Sequence, residues 1–184
     1  MGYVIALAGK GGCGKTTIAA LIIRSIKENK LGSVLAIDAD PNSNLGELLG
    51  VKDESSVGTI LDDLSAYPDK IPVGTPKERF IQYRIQSAIA EGDGFDILNM
   101  GKPEGPGCYC YVNNLLRNII DKITRAYDYV VIDNAAGMEH ISRRTMRGMN
   151  KLVLVSDYSV PGIRSAKKIY ELAKELGIKI GGAY

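Results

Sequence analysis

No stretch of this chain approaches the roughly 20 consecutive apolar residues that a bilayer-spanning helix requires. The first apolar segment, Tyr3–Ala8, is only a strand long and runs straight into a glycine-rich loop, which argues against a secretory leader. Charge of one sign is scarce as well. With 23 Lys and Arg against 21 Asp and Glu, the formal net charge is +2 and bulk electrostatics make no case for nucleic acid as a partner. Three cysteines, an odd number, point to reduced thiols in the cytoplasm rather than a disulfide framework. Histidine occurs once, at His140, and no internal repeat or low-complexity tract is present. The 184 residues are 45% hydrophobic, enough for one sizeable core, so a single domain over residues 1–184 is expected.

What is present is a regular alternation. Short apolar runs, partly β-branched, read as strands at Tyr3–Ala8, Ser33–Asp38, Phe95–Met100, Tyr129–Asp133 and Lys151–Ser156. Helical patterns lie between them at Thr16–Glu28, Glu78–Glu91, Val112–Arg125, Ile141–Met149 and Ile163–Leu176. This order predicts an α/β fold, a mostly parallel sheet with helices on both faces and its ligands at the carboxyl ends of the strands. Residues 51–76 carry three prolines and one short amphipathic patch, Thr59–Leu64, and are expected to form an irregular, partner-facing surface insertion. From Ile178 a further strand begins.

The most informative segment is Gly9-Lys10-Gly11-Gly12-Cys13-Gly14-Lys15-Thr16, between the first strand and the first helix. Strand, glycine-rich turn and helix is the context a phosphate-binding loop requires. Its glycines let backbone N–H groups converge on phosphate oxygens, and the helix N-terminus adds partial positive charge. Lys15 is expected at the β- and γ-phosphates and the Thr16 hydroxyl on Mg²⁺, so Gly9 through Thr17 form a candidate site for ATP or ADP. Cys13 reads as a small packing residue of the loop.

Carboxylates end two strands: Asp38 and Asp40 in Ile37-Asp-Ala-Asp-Pro-Asn42, and Asp133 in Ile132-Asp-Asn-Ala-Ala-Gly137. Mg²⁺ is a hard ion that keeps several waters, so carboxylates reaching it partly through water are expected here. One of Asp38 and Asp40 alternatively caps a helix over Asn44–Leu49. A second chemistry lies in Gly105-Pro-Gly-Cys108-Tyr-Cys110-Tyr111. In extended backbone, residues i and i+2 point the same way, so both sulfurs can face one point. Two thiolates do not complete a tetrahedral or square-planar site, but two chains about a twofold axis supply four. Two thiols without a ligand are the alternative.

The loop G-K-G-G-C-G-K-T, with its additional Lys10, is similar to the deviant Walker A loop of the MinD, ParA and nitrogenase iron protein class of P-loop NTPases (SIMIBI type). The resemblance implies an ATP-driven homodimer in which Lys10 crosses to the partner's nucleotide. It further implies that Asp38 positions the Mg²⁺ shell and Asp40 orients the attacking water, or the reverse, with Gly137 as the switch pivot. That class normally continues beyond the strand begun at Ile178, to an adenine-reading asparagine and further helices, so the fold expected over these 184 residues is that of the class without its C-terminal strand and helices. The segments 101–110, 133–144 and 156–164 resemble the CooC-type maturation factors of nickel carbon monoxide dehydrogenase, with the related acetyl-CoA synthase factor equally similar. That likeness implies a cytoplasmic, Mg²⁺-dependent ATPase that carries Ni, or Zn in isolated protein, on Cys108 and Cys110 to a client nickel enzyme, without membrane or nucleic acid partners. Glu139, His140, Arg143, Arg144 and Arg147 follow the switch motif; a structural or switch-helix role is expected for the first two, and solvation or client docking for the arginines. Two other readings stand: a MinD/ParA-like positioning ATPase, and an electron-transfer ATPase with a bridging iron–sulfur cluster like nitrogenase iron protein.

Overall fold

The computed structural model describes residues 2–40, 42, 44–52, 55–67, 70–101, 120–135 and 149–184. In chain order the elements are β1 (Tyr3–Gly9), α1 (Lys15–Glu28), β2 (Val34–Ala39), α2 (Asn44–Leu48), α3 (Val57–Ala66), α4 (Lys77–Gln86), β3 (Ala90–Gly92), β4 (Phe95–Asn99), β5 (Tyr129–Asn134), β6 (Lys151–Val155), α5 (Val160–Glu175) and β7 (Ile180–Ala183). Of the helix expected over Val112–Arg125, residues 120–124 are described and helical. The helix expected over Ile141–Met149 lies outside the described residues apart from Met149.

The seven strands form one sheet in the order β3-β4-β2-β5-β1-β6-β7. Every pairing is parallel except the edge pair of β3 with β4. Strands buried on both faces need no polar side, which is why they stood out as continuous apolar runs. The strand begun at Ile178 forms as β7 and pairs with β6.

The pleat sorts alternate residues onto opposite faces. Leu7, Val34, Ala36, Ile97, Val131, Val153 and Val155 pack with Ala19, Ile23 and Ile26 of α1 and Leu45 of α2. Val4, Leu35, Ile37, Leu98 and Val130 face the other way, onto α3, α4 and Ile123. On that second face, Ala6, Ala8, Leu152 and Leu154 meet Ile169 and Ala173 of α5. Continuing the alternation places Asp38 and Asp133 on the face of α1, whose first residues follow the phosphate-binding loop.

Two sequence expectations are corrected. Residues 51–76 are not irregular throughout, because α3 forms within them and buries Val57, Ile60, Leu61 and Leu64. A capping box starts it: Ser56 Oγ accepts the Thr59 N–H at 3.1 Å, and Thr59 Oγ1 accepts the Ser56 N–H at 3.0 Å. The Gly58 N–H then donates to the Met100 carbonyl at 2.9 Å, tying α3 to the end of β4. The helix expected over Glu78–Glu91 instead stops at Gln86, and Ala90–Gly92 becomes the edge strand. Gly94, at a φ of 79°, turns that strand into β4.

Ile60 is 2% exposed. Ile60→Ala is therefore expected to lower unfolding stability by about 2–4 kcal/mol in urea titration. A loss below about 0.5 kcal/mol would place α3 at the surface.

Candidate functional site

The site grows from the end of β1. There the backbone of Gly9 lies so close to β6 that any Cβ at Gly9 would stand 2.0 Å from the Val155 carbonyl oxygen. Gly12 and Gly14 turn the loop with φ values of 76° and 93°, conformations that cost a side chain dearly. Gly14 is also the N-cap of α1, and no side chain caps that helix. The first-turn N–H groups are thus left without a side-chain acceptor at the positive end of the helix, the arrangement that binds phosphate.

Lys15 is 6% exposed, and its amine donates to the Lys10 carbonyl at 3.2 Å. Thr16 is half-buried and Thr17 exposed, while Gly11 and Gly12 lie at the surface. The Cys13 thiol donates to the Val155 carbonyl at 3.2 Å and packs on the α1-side core, in keeping with a packing role.

Strand register brings the carboxylates together. Leu7 pairs with Asp133, and Asp133 with Asp38. The two differ sharply in what they touch. Asp38 is fully buried; its Oδ1 accepts the Asp40 N–H at 3.0 Å and its Oδ2 the Leu45 N–H at 2.9 Å. It thereby pins the turn between β2 and α2 and caps α2. Asp40 is half-buried and accepts the Asn42 N–H at 2.9 Å.

Asp133 is 1% exposed, yet neither of its carboxylate oxygens has a hydrogen-bond partner. Burial pushes its pKa up to about 6, with the negative charges of Asp38 and Asp40 adding to the shift and Thr16 and Lys15 opposing it. The Thr16 hydroxyl sits on this side without closing a hydrogen bond to either oxygen. A buried acceptor with nothing to accept, next to a P-loop threonine, fits a hard divalent cation that keeps its waters. Among the described residues no three His, Cys, Asp or Glu side chains gather into a metal cage; Mg²⁺ with phosphate and water ligands does not need one.

Three residues at the strand ends were not singled out from the sequence. The Asn134 side-chain amide donates to the Leu7 carbonyl at 2.8 Å, and Asn99 Oδ1 accepts the Gly101 N–H at 2.9 Å. Beyond β6, Asp157 Oδ2 lies 3.6 Å from the Lys10 amine. Only the polar residues closing the apolar runs could have flagged them. Gly137, Glu139, His140, Arg143, Arg144 and Arg147, and both Cys108 and Cys110, lie outside the described residues.

The unpaired Asp133 carries a consequence for stability. Its pKa is raised from 3.8 when the chain folds, so the folded state binds more protons between about pH 4 and pH 6. Stability from this group is complete below about pH 4 and is lost as pH rises through 6. Asp133→Asn is expected to stabilise nucleotide-free protein in EDTA by about 1–3 kcal/mol at pH 7, a gain that vanishes near pH 4 in urea titrations.

Residues 2–180 match the AAA_31 family, described as an AAA domain. An ATP-binding protein of Methanocaldococcus jannaschii is 44% identical over 98% of this chain and 72% of its own length. The carbon monoxide dehydrogenase accessory protein CooC of Rhodospirillum rubrum is 32% identical over 95% of this chain and 70% of its own. Among solved structures, septum site-determining MinD of Pyrococcus horikoshii with Mg-ADP superposes with a TM-score of 0.67 and 23% identity, over 100% of this chain and 69% of that one. The phosphate loop and the register-matched carboxylates sit within the matched residues, the fold is the one seen in MinD, and the chain belongs to the AAA_31 family of AAA domains.

Proposed function

We propose that this protein is a Mg²⁺-dependent ATPase whose turnover is coupled to the closing of two identical chains. In this reading the closed dimer carries nickel on its paired Cys108 and Cys110 loops for a client nickel enzyme of the carbon monoxide dehydrogenase or acetyl-CoA synthase kind. The observation that supports the switch is a division of labour between two lysines. Lys15 is buried within its own loop, whereas the Lys10 side chain is 42% exposed and its amine is drawn to the rim of the site. A lysine so placed is available to a second chain.

In the cycle we infer, the Lys15 amine leaves the Lys10 carbonyl for the β- and γ-phosphates, and the N–H groups behind Gly14 take the phosphate oxygens. Thr16 and Asp133 would hold Mg²⁺, Asp133 through water, and the bound ion would supply neutralisation of phosphate charge. Asp38 holds the turn that carries Asp40, and Asp40 orients the attacking water. Lys10 of the partner subunit completes the charge stabilisation, so hydrolysis waits for the dimer. Gly137 would pass the nucleotide state to the metal loop.

The nickel part rests on the C-x-C pair and on the likeness to CooC. Zn²⁺ can occupy the same thiolates in isolated protein. A second reading, a positioning ATPase, draws on the fold shared with septum site-determining MinD.

Anaerobic titration of reduced apoprotein with Ni²⁺ is expected to saturate at about one metal per two chains with sulfur-to-nickel charge-transfer bands. Cys108→Ala or Cys110→Ala should remove the bands and leave most ATP hydrolysis intact; absence of binding in the wild type would favour the positioning reading. Lys10→Ala is expected to keep nucleotide affinity while lowering turnover by roughly a hundredfold or more, as loss of an in-trans cation does. Unchanged turnover in that variant would remove Lys10 from the reaction.

A further inference from the structure

Lys10 is held at both ends. Its carbonyl accepts the Lys15 amine at 3.2 Å and the Cys13 N–H at 3.4 Å, and its own amine stands 3.6 Å from Asp157 Oδ2. Asp157 lies just beyond β6, where the sheet brings Val155 beside Gly9.

The carboxylate that meets Lys10 is itself rigidly mounted. Asp157 Oδ1 accepts the Ser159 N–H at 3.0 Å and also the Ser159 hydroxyl. That serine is the N-cap of α5, its Oγ accepting the Gly162 N–H at 3.1 Å. A Cβ at Gly162 would fall 2.0 Å from Asp157 Oδ1, so only glycine leaves room for the carboxylate under the first turn of the helix. One oxygen is thus committed to the cap and the other is presented to Lys10. The Ser159 side chain foremost, then its backbone N–H and Lys10, hold the carboxyl below its ordinary pKa and therefore charged.

We propose that Asp157 is a positioning residue for Lys10, keeping the lysine's amine on its own chain until two chains close. This rests on the reading of Lys10 as the residue that serves the partner's nucleotide. When Lys15 moves to phosphate, the Lys10 carbonyl loses one of its contacts, and the Asp157 pair is the remaining hold on the side chain. With the side chains 42% and 34% exposed, the pair is screened by solvent. It is weak enough to open on every cycle, yet it opposes dimer closure twice, once per chain.

Asp157→Asn tests this cleanly, because the amide oxygen still accepts from Ser159 while the charge facing Lys10 is gone. The full chain with Mg²⁺ and a non-hydrolysable ATP analogue is followed by sedimentation velocity across protein concentration. The variant is expected to dimerise more tightly, with a dissociation constant roughly two- to thirtyfold lower, as two exposed ion pairs no longer need to break. Damage to the fold would move it the opposite way. The difference should shrink as sodium chloride rises from about 0.05 to 0.5 M, because screening weakens the wild-type pair. An unchanged or weaker dimer in Asp157→Asn, with Lys10→Ala still losing hydrolysis, overturns the role of Asp157 alone. Should Lys10→Ala dimerise and turn over like wild type, the reading of Lys10 falls and this inference falls with it.

Discussion

The register of β5 between β1 and β2 is the constraint on which the site depends. Parallel pairing sets Leu7 beside Asp133 and Asp133 beside Asp38, and the pleat then turns both carboxylates toward α1. A slip of one residue along β5 would carry Asp133 to the opposite face, among Leu35 and Ile37, where neither the loop nor Lys15 could reach it. Burying the Asp133 carboxylate among those apolar side chains opposes such a slip. Packing of the core thereby places the chemistry.

That division explains how much could be read beforehand. The strands were legible because burial on both faces demands unbroken apolar runs, and the loop was legible because phosphate binding needs glycines and a lysine at set spacing. α3 was missed for a physical reason: it is short, has Gly58 and Thr59 in its first turn, and owes its start to a capping box that uses threonine where glutamate or glutamine is usual. β3 has only Ala-Glu-Gly as its sequence, with no β propensity of its own, and exists because the turn at Gly94 returns the chain alongside β4. The Lys10–Asp157 pair joins residues on different elements, and no local pattern announces such a contact.

The acidic residues show the same limit at finer scale. From the sequence, Asp38, Asp40 and Asp133 are all Mg²⁺ candidates, with one of the first two alternatively the cap of a helix over Asn44–Leu49. The fold separates them: Asp38 spends both oxygens on backbone N–H groups, and Asp133 spends none on any donor. One builds the turn and the other waits for charge from outside. Burying an unpaired carboxylate costs free energy, and such a cost persists at a place where a ligand relieves it.

The uncapped start of α1 limits how this protein can be improved by design. Replacing an N-cap glycine with serine or aspartate is a common route to a sturdier helix. At Gly14 that change would fight a φ of 93° and would also set an oxygen where phosphate oxygens belong. The helix end is kept incomplete by the protein and is finished by its nucleotide, so at this position robustness and occupancy compete for the same few N–H groups.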